Sequence, residues 1–157
     1  MTSSSRLRRC ALALLVCGAL PAWAGLGSAD TAIAGERLRL RAQHAVLRGP
    51  LYTVHELRLA DGSRLQQYAA SNGLVFAVRW DTLFKPQLAT LLGTAFPSYA
   101  AAAHTAAQRG GIQRQFRHQG ADLVVQSSGH LHVFSGFAYR PSLLPRGLAV
   151  DALGLGS

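Results

Sequence analysis

His130-Leu131-His132 sets two imidazoles at i and i+2, the spacing that puts two side chains on one face of a β-strand and lets them share a metal ion. Such a site needs a third or fourth donor, and His55 and Asp122 are the candidates. Two-residue spacing meets little of that requirement, so a polar sheet face carrying two exposed histidines is the favoured reading. Trp80, Phe134, Phe137 and Tyr139 are rings of the kind that wall a small-molecule groove, with Arg79 or Arg140 as a clamp for an anionic group. Strand aromatics more often form core, which competes with that use. Ser135 stands between Phe134 and Gly136, but no nucleophile-elbow sequence surrounds it, and Gly136 suits a bulge. The chain has seven Asp and Glu in all, widely scattered, so paired carboxylates for glycoside chemistry are poorly supported. No Gly-rich phosphate loop, EF-hand pattern or dinucleotide fingerprint occurs, and no cofactor is expected.

The elements that would position these residues are readable in part. Residues 51–59 alternate as a strand does, Ala60-Asp61-Gly62-Ser63 offers turn chemistry, and residues 64–69 resume an extended run. Ser71-Asn72-Gly73 is a second turn, and residues 74–80 are so apolar that they predict a central strand covered on both faces. A three-strand antiparallel meander over 51–80 follows. Leu88, Leu91, Leu92, Ala95, Phe96, Tyr99, Ala102 and Ala103 fall on one helical face, the strongest periodic signal in the chain. Pro97 interrupts it, so the long helix over 86–108 is expected to kink, or to consist of two helices meeting, near residues 93–97, and to bury Leu88, Leu92, Phe96 and Tyr99.

Residues 121–139 read as a hairpin turning at Ser127-Ser128-Gly129. The Pro-bearing tail from residue 140 is expected to lie along the core as irregular chain. Residues 25–35 predict a flexible start, and residues 33–47, ambiguous in period, predict a short helix. The sum is an α+β single domain: antiparallel sheet made of a three-strand meander, a long kinked helix and a C-terminal hairpin.

Arg6, Arg8 and Arg9 precede an apolar run over 10–20, and Ala22 and Ala24 are the small residues a signal peptidase prefers. Residues 1–24 are thus expected to be an export signal and residues 25–157 the mature domain, periplasmic or extracellular. The run is too short to span a bilayer core, which takes about 20 apolar residues, so no transmembrane anchor is expected. Cys10 and Cys17 both leave with the signal. The net charge of +9 drops by the three signal arginines to +6. The remaining basic residues, the densest being Arg37, Arg39 and Arg41, are spread rather than clustered. They predict a solvated face and no nucleic-acid partner, while leaving an anionic envelope surface as an allowed one.

Tyr52-Thr53-Val54-His55-Glu56, Phe76-Ala77-Val78-Arg79-Trp80, Leu91-Leu92-Gly93, Ser128-Gly129-His130-Leu131, Phe134-Ser135-Gly136-Phe137-Ala138-Tyr139 and Pro141-Ser142-Leu143-Leu144-Pro145 together resemble the exported bacterial family catalogued as domain of unknown function 2844. The resemblance implies a family and no activity, substrate or cofactor. Pro97 and Leu83-Phe84-Lys85 depart from that family's pattern around the helix entrance. The expected function is non-enzymatic: binding of an envelope partner or small ligand through the sheet and the aromatic hairpin. The alternative is a metal-dependent or hydrolytic enzyme using His130 and His132.

Overall fold

The computed structural model describes residues 25–110 and 114–155. They form an α+β domain around one seven-stranded antiparallel sheet. Its strands are β1 (Gln43–Arg48), β2 (Tyr52–Arg58), β3 (Arg64–Ala70), β4 (Val75–Thr82), β5 (Gln115–Gln119), β6 (Val124–His130) and β7 (Val133–Tyr139). The spatial order is β1-β2-β3-β4-β7-β6-β5. Two meanders therefore meet at the β4–β7 seam. The link between them carries α2 (Leu88–Leu92), a 3-10 turn (Gly93–Ala95) and α3 (Phe96–Gln108) across one face to the far edge.

The apolar run over 74–80 lies where its composition predicts, in the middle of the sheet, and Val75, Phe76, Ala77 and Val78 are fully buried. Tyr68 pairs with Ala77 and Ala69 with Val75, so Phe76 is the extra residue of a bulge. Its carbonyl accepts the Arg140 N–H at 2.9 Å, which fastens the start of the tail to the sheet.

Each sheet face has its own cover. On one face Leu57, Leu65, Val78, Trp80, Val125 and Ala138 pack with Ile33 of α1 (Ile33–Leu40) and with Leu91 and Leu92. On the other, Tyr68, Phe76 and Ala77 lie under the tail, where Leu153 and Leu155 are buried among Phe137, Tyr139 and Leu144. The tail is irregular apart from two 3-10 turns, Pro141–Leu143 and Val150–Leu153.

The helix breaks at Gly93, which takes φ 49° and lies so close to the chain at Leu26 that an added Cβ would meet that carbonyl at 3.0 Å. Pro97 falls within the first turn of α3, where its missing N–H costs no helical bond. The break thus precedes the proline instead of being forced by its ring. Leu92 is wholly buried, while Leu88, Phe96 and Tyr99 are half-buried against the same core. α3 contains no fully buried residue and lies on the sheet through a single flank.

Two expectations are corrected, and a third, the short helix within 33–47, is met by α1 with its end now fixed. The start is not loose: Leu26 is fully buried, its N–H bonds the Leu91 carbonyl at 3.0 Å, and Gly27 N–H bonds the Val75 carbonyl at 2.8 Å. The helix over 33–47 stops at Leu40, because Arg41 turns left-handed at φ 51° and the chain then enters β1 as an edge strand. The hairpin turns at Leu131 and His132, and Ser127, Ser128 and Gly129 continue β6 in register with Gly136, Ser135 and Phe134.

Candidate functional site

Shifting the hairpin turn dismantles the histidine pair. His130 is the last residue of β6 and His132 lies in the turn beyond it, so the two no longer share a strand face. Both are exposed, and Leu131 between them takes φ 55°. The proposed third donors do not approach: β3, β4 and β7 separate His55 on β2 from β6, and Asp122 is engaged elsewhere. Among the described residues no group of three or more His, Cys, Asp or Glu side chains is assembled for a metal ion. Replacing His130 and His132 together with alanine should leave zinc titration calorimetry unchanged and stability within about 0.5 kcal/mol of the parent. Stoichiometric zinc binding that vanishes in the double variant would reverse this.

The aromatic groove is corrected as well. Trp80 is 1 % exposed and belongs to the core beneath the helices. Phe134 lies on that same side, its ring against Gly129. Phe137 and Tyr139 point to the opposite face and stack on each other at 6.3 Å, joining the core under the tail. Alternation along β7 divides the rings between the two faces, and only Phe137 and the buried Trp80 border one opening, of about 210 Å³, beside Arg79 and Ser135. Ser135 shares the tail side, where its hydroxyl lies 2.9 Å from that of Ser128.

Of the nominated residues, Arg140 and Asp122 border a larger opening. This cleft, about 690 Å³, runs between α3 and the β5–β6 turn. Thr94, Ser98, Ala101 and Thr105 form its helical wall, and His118, Gly120, Asp122 and Arg140 line the other side. The helical residues are spaced by three or four, one stripe of the α3 surface continued from the preceding turn. Their small side chains keep the cleft open.

Asp122 fixes the opposite wall. Its Oδ2 accepts from Arg140 Nε at 2.9 Å and from Nη2, and its Oδ1 accepts the Ser142 N–H at 3.1 Å. The hydrogen bond from Ser142, then those from Arg140, hold the Asp122 carboxyl below its ordinary range. Arg140 Nη1 also donates to Thr94 Oγ1 at 3.4 Å, so one guanidinium ties the β5–β6 turn, the tail and the helix break together. Gly120 makes room for the imidazole: an added Cβ would stand 2.6 Å from His118 Nε2. The cleft thus presents hydroxyls, an imidazole and a largely compensated ion pair on small apolar walls. That chemistry suits hydrogen bonding to a polar molecule. Among the described residues, no hydroxyl of the cleft is hydrogen-bonded to the His118 imidazole.

A second polar cluster lies beneath α1. Glu36 is buried and accepts from Gln67 Nε2 at 2.7 Å, while Arg39 lies 3.6 Å from its other oxygen. His55 pairs in register with Gln67 and meets His44 ring to ring, Nδ1 to Nε2 at 3.1 Å. Asp30 Oδ2 stands 4.0 Å from His55 Nε2. Burial, and then the neighbouring His44, push the His55 pKa down, whereas burial pushes that of Glu36 up.

Residues 22–153 match the sequence family described as Protein of unknown function (DUF2844). No curated protein and no solved structure matches the chain. The match takes in both meanders, the helical crossover and every residue lining the cleft, and the chain belongs to the DUF2844 family.

Proposed function

We propose that this is an exported, non-enzymatic binding protein of the periplasm or the extracellular space, and that its ligand seat is the cleft between α3 and the β5–β6 turn. The observation that carries the reading is the cleft: about 690 Å³, walled by hydroxyls and by the Arg140–Asp122 pair. Its ligand is a small polar envelope component that hydrogen-bonds to Thr94, Ser98, Thr105 and His118. In this reading the three-strand meander and the C-terminal hairpin are scaffold, and the kinked helix is the movable wall. Export rests on the charged start, the apolar run and the small residues before Gly25. No helix among the described residues is long and apolar enough to cross a membrane.

Equilibrium dialysis tests the proposal. Protein purified from a bacterial envelope fraction, its intact mass starting at Gly25, is dialysed against the small-molecule extract of that envelope, and retained compounds are identified by mass spectrometry. Ala101→Trp fills the mouth of the cleft without touching the Asp122–Arg140 pair. The expected result is a compound retained by the parent, recovered chemically unchanged and lost from the variant. Equal retention by both proteins would remove the cleft as the seat, and chemical conversion of the compound would make the protein an enzyme.

A further inference from the structure

At the opposite edge of the sheet, a pocket of about 440 Å³ opens where β1 begins and the β2–β3 turn closes. Arg41, Arg58 and Arg64 line it, together with Gln43 and the turn residues Ala60 and Gly62, and no carboxylate does. The geometry points to a phosphate-binding site, in which the three guanidinium groups take a phosphate group carrying about two negative charges.

Three observations converge on this. Arg58 and Arg64 face each other directly across β2 and β3, an arrangement of like charges that destabilises a strand pair unless an anion sits with them. Glu56 compensates only part of it. Its carboxylate, 5 % exposed, takes Arg58 Nε and Gln66 Nε2, which leaves the two terminal nitrogens of Arg58 without a hydrogen bond among the described residues. Arg41 ends α1 at φ 51°, a position where glycine is the ordinary residue and where a β-carbon is strained. Neither Arg41 nor Arg64 forms an ion pair among the described residues.

None of the acids nearby lines the pocket. Asp61 in the turn accepts from the Ser63 N–H at 2.9 Å and from the Ser63 hydroxyl at 3.0 Å. Asp81 lies opposite Arg64 on the β4 side and makes no ion pair with it. A phosphate group matches the site better than a carboxylate because its oxygens can meet forked donors arriving from three directions. The group can belong to a free phosphate, a phosphomonoester or a lipid headgroup.

The test uses the full mature protein with inorganic phosphate as the probe, followed by thermal shift and titration calorimetry at fixed ionic strength. Arg41→Gly removes a guanidinium and relieves the left-handed strain, so it should melt no lower than the parent, yet bind phosphate at least tenfold more weakly. Arg64→Gln, which leaves the turn intact, should show the same loss. Cosedimentation with phosphatidic acid vesicles, whose headgroup is a phosphomonoester, and with phosphatidylcholine vesicles separates the sources: binding to the anionic vesicles, lost in both variants, assigns the phosphate to a lipid. Phosphate binding without vesicle binding assigns it to a soluble compound. Equal phosphate affinity in parent and variants, an effect reproduced by sodium chloride, or no binding to either phosphate or vesicles would overturn the proposal.

Discussion

Gly136→Ala should destabilise the domain by about 3 kcal/mol, because a methyl group there has nowhere to go. Gly136 pairs with Trp80 on one side and Ser127 on the other, in the middle of the β4–β7–β6 seam. A Cβ at this position would lie 2.8 Å from Trp80 Cε2, and closer still to Cζ2 and to the Gln126 carbonyl oxygen. The indole is fully buried and the carbonyl belongs to a paired strand, so neither can yield cheaply. Trp80→Ala should itself cost about 3–5 kcal/mol through the cavity it leaves. The double variant should then be more stable than the two single losses added together, by at least about 1 kcal/mol, since removing the ring removes one of the two clashes. Urea unfolding of the four proteins measures this. Full additivity would mean that Trp80 does not pack on β7, and would return it to the list of ligand-binding candidates.

Gln67→Leu should cost about 2 kcal/mol at pH 7, and the loss should shrink toward pH 4. Gln67 is fully buried and supplies the 2.7 Å hydrogen bond that supports a buried Glu36 carboxylate. Burial raises the Glu36 pKa above its ordinary value, and the hydrogen bond from Gln67 and then the charge of Arg39 oppose that rise. A folded pKa above the unfolded one means that the group's stabilisation is complete below the unfolded value and is lost as pH rises through the folded value. Removing Gln67 raises the folded pKa further, so the variant falls away from the parent as pH climbs from 4 to 7. Glu36→Gln in the Gln67→Leu background should flatten the difference. His55 has the opposite sign: its lowered pKa gives stability that is present above about 6.5 and lost as pH falls below that value. Gln67 faces His55 directly across β2 and β3, so the comparison is made in a His55→Asn background, where that contribution is absent from both proteins. A Gln67→Leu deficit independent of pH would show that Glu36 is not the charged partner.

What could be read from the sequence was what burial writes into it. The run over 74–80 sits between two covered faces and is continuously apolar, and the helical stripe from Leu88 to Tyr99 touches the core on one flank, so both were legible. The edge strands were not. β1 is exposed at all but one position and β5 carries Gln, Arg and His, so neither alternates between apolar and polar. The hairpin turn was misplaced because Ser127-Ser128-Gly129 has turn chemistry, whereas Gly129 is in the strand to admit the Phe134 ring and the true turn puts Leu131 at a positive φ. The same residue-level logic governs the site. Thr94, Ser98 and Thr105 carry a helical period of their own that the apolar stripe obscures, and Arg140 is legible through its charge, whereas its partner Asp122 reads in the sequence only as a candidate third metal donor. Trp80 and Tyr139 look alike in sequence, and only alternation along β4 and β7, where Trp80 pairs with Gly136 and Tyr139 with Ala77, sends them to opposite faces.

The most direct test of the binding account is a two-dimensional amide NMR titration of residues 25–157 with the small-molecule extract of a bacterial envelope. The account predicts shifts that saturate together at Thr94, Ser98, Ala102, Gly120 and Leu123 and disappear in Ala101→Trp. Shifts gathered instead at the hairpin tip, from Gly129 to Phe134, would contradict it.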